Sequence, residues 1–148
     1  MKKKSLITIC TTVAVIAASL TVAAAKEFPK DSPEFEADYA TALKKAKETS
    51  KPLIVIFSAV WCPPCQTNKN DVYPSATVKP FHDKFVWAYL DTDDAKNHPA
   101  AKKFSVSGIP HIEFLNSNGK SIGQVVGGTT PDTFAKSLKS ALQKSKQD

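Results

Sequence analysis

Apolar residues fall into two kinds of pattern along this chain. One is the unbroken run, and Leu53-Ile54-Val55-Ile56-Phe57 is the clearest: five residues, three of them β-branched, as a strand covered on both faces requires. Residues 85–90 form a second such strand. Residues 111–115 and 122–126 form two more, joined by Asn116-Ser117-Asn118-Gly119, a hairpin turn by composition. The other pattern is helical. Ser32-Pro33-Glu34 carries a capping hydroxyl, a proline for the first helical position and an acid. Phe35, Tyr39, Leu43 and Ala46 follow on one face, Lys44, Lys45 and Lys47 point outward, and Ser50-Lys51-Pro52 ends the helix. A second helix is expected from the cysteine pair near residue 62 to about Val72, because Pro74 stops it. Pro80 leaves residues 75–83 undecided, and residues 100–104 read as a short helix. Thr130-Pro131-Asp132 opens the last helix, with Phe134, Leu138, Ala141 and Leu142 on its apolar side. This order predicts an α/β domain: a mixed central sheet with helices on both faces and a C-terminal β-hairpin plus helix.

The chemistry gathers at Trp61-Cys62-Pro63-Pro64-Cys65, where the first strand gives way to a helix. Two sulfurs at this spacing can close a disulfide with little backbone movement. A thiolate at a helix start is favoured by the free N–H groups and the positive end of the dipole. A bridge across so short a loop adds little stability, so the pair reads as a reversible dithiol switch rather than a staple.

The third cysteine, Cys10, lies in a segment with the marks of a signal peptide. Lys2, Lys3 and Lys4 precede an apolar stretch from residue 6 to 22, and Ala23-Ala24-Ala25 forms a small-residue cleavage site. The expected division is a signal peptide over residues 1–25 and one domain over 26–148, with its core in 33–144. Left uncut, the stretch is long enough to anchor the chain in a bilayer. Ile9 before Cys10 does not suit a lipoprotein signal. Either way the domain is expected outside the cytoplasm, periplasmic or secreted.

Composition narrows the partners. Half of the formal net charge of +6 comes from the three leader lysines, and no basic stripe interleaved with aromatics suggests nucleic acid. Asp91-Thr92-Asp93-Asp94 resembles a calcium loop only superficially: the sixth-position glycine is missing, and Lys102 stands where the closing glutamate belongs. A copper or zinc module built on Cys62 and Cys65 would need a histidine from His82, His98 or His111, which have no paired spacing.

The cysteine motif after its strand, with Gly108-Ile109-Pro110 opening a later one, resembles the thioredoxin fold. Gly119 in the hairpin and the Gly127-Gly128 pair add to the likeness, which covers nearly all of residues 33–144. It is most similar to small extracytoplasmic thioredoxin-like proteins and to the C-terminal thioredoxin domain of bacterial transmembrane thiol reductases.

That resemblance implies roles. Cys62, at an exposed helix start, is the nucleophile, and the shielded Cys65 resolves the mixed disulfide. Pro110 is a cis-proline facing the pair, Ile109 offers its backbone to the substrate, and Trp61 flanks the sulfurs. Pro63 and Pro64 stiffen the gap without supplying the charge a histidine would. The family's buried acid, six residues before the first cysteine, is here Ile56. Glu113 is the candidate substitute as proton relay beneath Cys65, against a plainer reading as a solvated sheet-edge carboxylate. His111 reads as a packing or surface residue. The expected activity is thiol-disulfide exchange with protein clients by a monomer that needs no cofactor. The direction expected is reduction, fed by a membrane-embedded electron donor, with oxidase or isomerase duty as the alternative.

Overall fold

The computed structural model describes residues 27–147; the leader, Cys10 and the cleavage site lie outside the described residues. Elements run in the order β1 (Phe35–Glu36), α1 (Tyr39–Thr49), β2 (Leu53–Ser58), α2 (Pro63–Thr67), a π turn (Asn68–Val72) and a 3-10 helix (Lys79–Lys84). There follow β3 (Val86–Asp91), a 3-10 turn (Ala95–Asn97), α3 (His98–Lys103), β4 (His111–Leu115), β5 (Ser121–Val126) and α4 (Pro131–Lys144). The five strands form one sheet in the order β1-β3-β2-β4-β5. β1, β2 and β3 run parallel, while β4 is antiparallel to both β2 and β5. This is the mixed sheet that the hydrophobic pattern implied.

All of β2 is buried, as its unbroken apolar run requires. Alternate residues feed two cores. Ile54 and Ile56, with Trp87, Tyr89, Ile112 and Phe114, pack against Val72, Phe134 and Leu138 of the π turn and α4. Leu53, Val55 and Phe57 pack on the other face with Val86, Ala88, Leu90 and Leu115, under Ala42 and Ala46 of α1 and Ala100 of α3.

The first helix begins later than expected. Phe35 pairs with Trp87 in the edge strand β1, where its ring also meets Phe28, Tyr73 and Tyr89. Packing in the sheet thus satisfies the residue whose spacing suggested a helix. Asp38, not Ser32, caps α1: its carboxylate accepts a 2.8 Å hydrogen bond from the Thr41 N–H. Gly119 turns the hairpin at φ +88°, and a Cβ there would stand 2.9 Å from a Leu43 methyl. Among the described residues no helix is long and apolar enough to cross a membrane.

Candidate active site

The C-terminal end of β2 delivers the chain to the redox pair. Cys62 is the N-cap of α2, Pro63 is its first residue, and Cys65 lies one turn in. The two prolines occupy the first turn, where a missing N–H removes no intrahelical bond. The sulfurs are joined as a disulfide, with Cα atoms 5.3 Å apart.

Three segments close around it. Ala59, from the strand end, clusters with the two cysteines, and Ile109 packs against that cluster. The Ile109-Pro110 peptide is cis, and the Ile109 carbonyl oxygen lies 3.8 Å from Cys62 Sγ. Only the reduced thiol has a proton to donate to that oxygen. Gly127, at φ +91°, donates its N–H to the Pro110 oxygen over 2.8 Å, which ties the loop before α4 to the cis-proline. Trp61 is 65% exposed at the rim, its indole N–H donating to Asp93 Oδ2 at 2.8 Å. Val60 and Val126 are exposed as well. The sulfurs are thus bordered by apolar Ala59 and Ile109 and by the Ile109 carbonyl, features suited to an extended peptide.

One expectation about the pair needs correcting. Cys62 was expected at an exposed helix start, yet it is only 4% exposed against 1% for Cys65. Both cysteines are buried in a small apolar cluster with Ala59, against which Ile109 packs. What distinguishes the sulfurs is position: Cys62 stands at the helix start beside the Ile109 carbonyl, and Cys65 lies behind it.

Glu113 fits neither reading made from the sequence. It is buried, so it is no solvated edge carboxylate. It accepts a 2.9 Å hydrogen bond from His111 Nε2 and another from the Ser121 hydroxyl. Nor does it lie beneath Cys65. Its neighbours Ile112 and Phe114 face α4 and the π turn, so Glu113 faces the other way, and its register partner Val55 packs under α1. His111 is buried beside it, with the Phe57 ring edge-on at 5.9 Å. A packing or surface residue was expected at this position, but a buried carboxyl partner was not.

The three histidines lie apart. His82 Nε2 meets the Tyr73 carbonyl and His98 Nε2 the Thr92 carbonyl, while His111 is paired with Glu113. Among the described residues no three His, Cys, Asp or Glu side chains gather in a metal-holding group.

Sequence reasoning missed a buried polar patch on the α2 face. The Ser58 and Tyr89 hydroxyls share a hydrogen bond. Asn68 is fully buried, and its Oδ1 accepts from the Thr129 N–H at 3.1 Å. Tyr73 is buried too, and neither its hydroxyl nor Asn68 Nδ2 makes a well-formed hydrogen bond. Burial pushes the Tyr73 phenol far above its usual range, the neighbouring Tyr89 adds to the shift, and the Asn68 amide opposes it. Burial also raises Tyr89; the Ser58 hydrogen bond works against this and the Asp91 charge with it. The only sequence signal was a serine ending an apolar strand. The π turn that begins at Asn68 is a feature often found at functional sites.

The Thioredoxin-like family profile matches residues 34–117. The chain is 35% identical over 88 residues to "Thioredoxin-like protein HCF164, chloroplastic" of Oryza sativa subsp. japonica, covering 60% of this chain and 33% of that protein. It thus spans about a third of that relative's length. With "Thioredoxin H4" of Arabidopsis thaliana it shares 32% identity over 100 residues, 66% of this chain and 77% of the other. A thioredoxin from Thermus thermophilus superposes with a TM-score of 0.69 over 77% of this chain and 90% of that one, at 24% identity, which bears on the fold alone. A disulfide at the start of α2, opposite a cis-proline on this sheet, agrees with those matches, and the chain belongs to the Thioredoxin-like family.

Proposed function

We propose that the protein is a thiol-disulfide oxidoreductase that exchanges disulfides with client proteins and works as a reductase outside the cytoplasm. The observation that carries this reading is the Cys62–Cys65 disulfide at the start of α2, with the Ile109 carbonyl 3.8 Å from Cys62 Sγ. In the reduced protein Cys62 is the nucleophile, its thiolate favoured by the helix start. It attacks a client disulfide, forming a mixed disulfide and releasing one client thiolate. Cys65 then attacks Cys62 Sγ, closes the internal disulfide and releases the second client thiolate. The two electrons come from the dithiol, and no cofactor takes part. Ile109 presents free backbone to the client chain beside Pro110, and Trp61, Val60 and Val126 give it an apolar bed.

Reduction is favoured over oxidation because neither Pro63 nor Pro64 can stabilise the Cys62 thiolate with charge. The signal-peptide pattern of residues 1–25 supports an extracytoplasmic site, where a membrane-embedded donor would return the pair to the dithiol state. The protein acts as a monomer.

The test is trapping. In Cys65→Ser, Cys62 should remain covalently bound to its clients, and in Cys62→Ser no such adducts should form. Equal adducts from both variants would overturn the assignment. Equilibration with glutathione sets the direction: a potential near ~−270 mV supports reduction and one near ~−120 mV oxidation.

A further inference from the structure

Asn68 is an amide in an apolar interior. It is fully buried, and its Nδ2 has no well-formed partner. Leucine has nearly the same shape and would leave no donor unpaired, so the bonds the residue does make call for an account. There are two attachments. Its backbone N–H donates to the carbonyl oxygens of Cys65 and Pro64, which fixes it to the helix of the redox pair. Its Oδ1 accepts from the Thr129 N–H at 3.1 Å, across 61 residues of chain.

The second attachment closes a circuit around the cysteines. Thr129 lies just beyond Gly127, whose N–H donates to the Pro110 oxygen over 2.8 Å. Pro110 follows Ile109 through the cis peptide, and the Ile109 oxygen stands 3.8 Å from Cys62 Sγ. Cys62 is the N-cap and Asn68 the C-cap of α2. A path that leaves the helix at Asn68 thus returns to it at Cys62. Inside the circuit Gly128 packs against Pro64, where a Cβ on the glycine would stand 3.4 Å from the proline Cβ. A cleft of about 340 Å³ is lined by Pro64 and Thr67 on one side and by Thr129 and Thr133 on the other. Across that cleft Asn68 supplies a hydrogen bond.

We infer that Asn68 is a positioning residue: it clasps the loop over residues 127–129 to the redox helix and so fixes how far Ile109 and Pro110 stand from Cys62. The inference rests on the oxidoreductase reading and deepens it by naming what holds the client groove at its working width. A client chain laid along the Ile109 backbone must bring its disulfide in line with Cys62 Sγ, and a misplacement of about 1 Å can cost about 100-fold in rate. A small aromatic disulfide reaches Cys62 without lying along that backbone and does not sense the clasp. Thr129 is only half-buried, so once Oδ1 is removed water can take its N–H and the loop is released.

The test offers two disulfides to the reduced protein in single turnover: insulin, whose disulfides lie in a protein chain, and dithiobis(nitrobenzoate). Asn68→Leu, which keeps the shape and loses the oxygen, should slow the reaction with insulin at least about 10-fold more than the reaction with dithiobis(nitrobenzoate). Asn68→Asp, which keeps an acceptor oxygen, should bring the insulin rate back toward native. A role confined to stability would lower both reactions alike and would not follow the oxygen. Asn68→Ala decides the matter if the leucine variant does not fold. Equal slowing of the two reactions in Asn68→Leu, or a native insulin rate, would overturn the clasp. Failure of the oxidoreductase reading shows separately, as native protein that leaves insulin disulfides intact, and removes the clasp with it.

Discussion

The two faces of the sheet bury polar groups in opposite ways. Under α1 and α3 the fully buried core is aliphatic apart from Phe57, with Tyr39 and Phe104 packed at its edge, and the His111–Glu113 pair is buried on this side with both members hydrogen-bonded. Under α2 and α4 the core is rich in aromatic rings, and its buried polar groups include hydroxyls and an amide, two of them without a well-formed partner. The difference matters because α2, which carries both cysteines, runs on into the π turn whose Val72 packs in the second core.

The largest effect should come from the aromatic face. Phe134 is fully buried against Tyr73, Trp87 and Phe114. Phe134→Ala should cost about 3–5 kcal/mol in denaturant unfolding. A loss below about 1 kcal/mol would mean that α4 contributes little to this core.

On the opposite face, Glu113→Ala leaves His111 buried without its carboxylate and should cost about 3 kcal/mol. Glu113→Gln should keep most of that stability. Neither variant should change the rate at which Cys65 closes the disulfide. A slowed closure in Glu113→Gln would break the division between the faces.

Helix α1, which covers the aliphatic face, depends on its cap. The backbone N–H of Thr41 and its neighbours hold the Asp38 carboxyl below the usual carboxylate range. A lowered folded value means that the stabilisation is present above the unfolded value of about 4 and fades as pH falls through the lower folded one. Asp38→Ala should cost about 1 kcal/mol at neutral pH and almost nothing near pH 2, as urea midpoints at the two pH values would show.

The smallest change is expected from Tyr73→Phe. It removes a buried hydroxyl that has no well-formed partner, so stability at neutral pH should be unchanged or slightly higher. The raised phenol of the native protein has the opposite sign to Asp38. Its contribution is intact below the unfolded value of about 10 and is lost as pH rises beyond it. Tyr73→Phe should therefore flatten the alkaline limb of the stability profile.

What could be read from the sequence followed from local signals. The run before Cys62 marked β2, Asn116 to Gly119 marked the hairpin, and Thr130-Pro131 marked the start of α4, where Thr130 Oγ1 accepts from the Thr133 N–H. The cysteine pair stood out for the same reason. What escaped depends on register. Phe35 shows helical spacing, but its partners Trp87 and Tyr89 come from a distant strand. The face Glu113 occupies follows from its pairing with Val55, and the Ser58–Tyr89 contact from the alignment of β2 with β3. Asp93 reaches Trp61 across 32 residues of chain. None of these pairings leaves a trace in local composition.

The assignment of Cys62 as attacker and Cys65 as resolver is tested most directly by timed alkylation of the reduced protein at neutral pH, with each cysteine followed by mass spectrometry. Cys62 should be labelled well ahead of Cys65 and faster than free cysteine. Equal labelling of the two, or Cys65 labelled first, would contradict it.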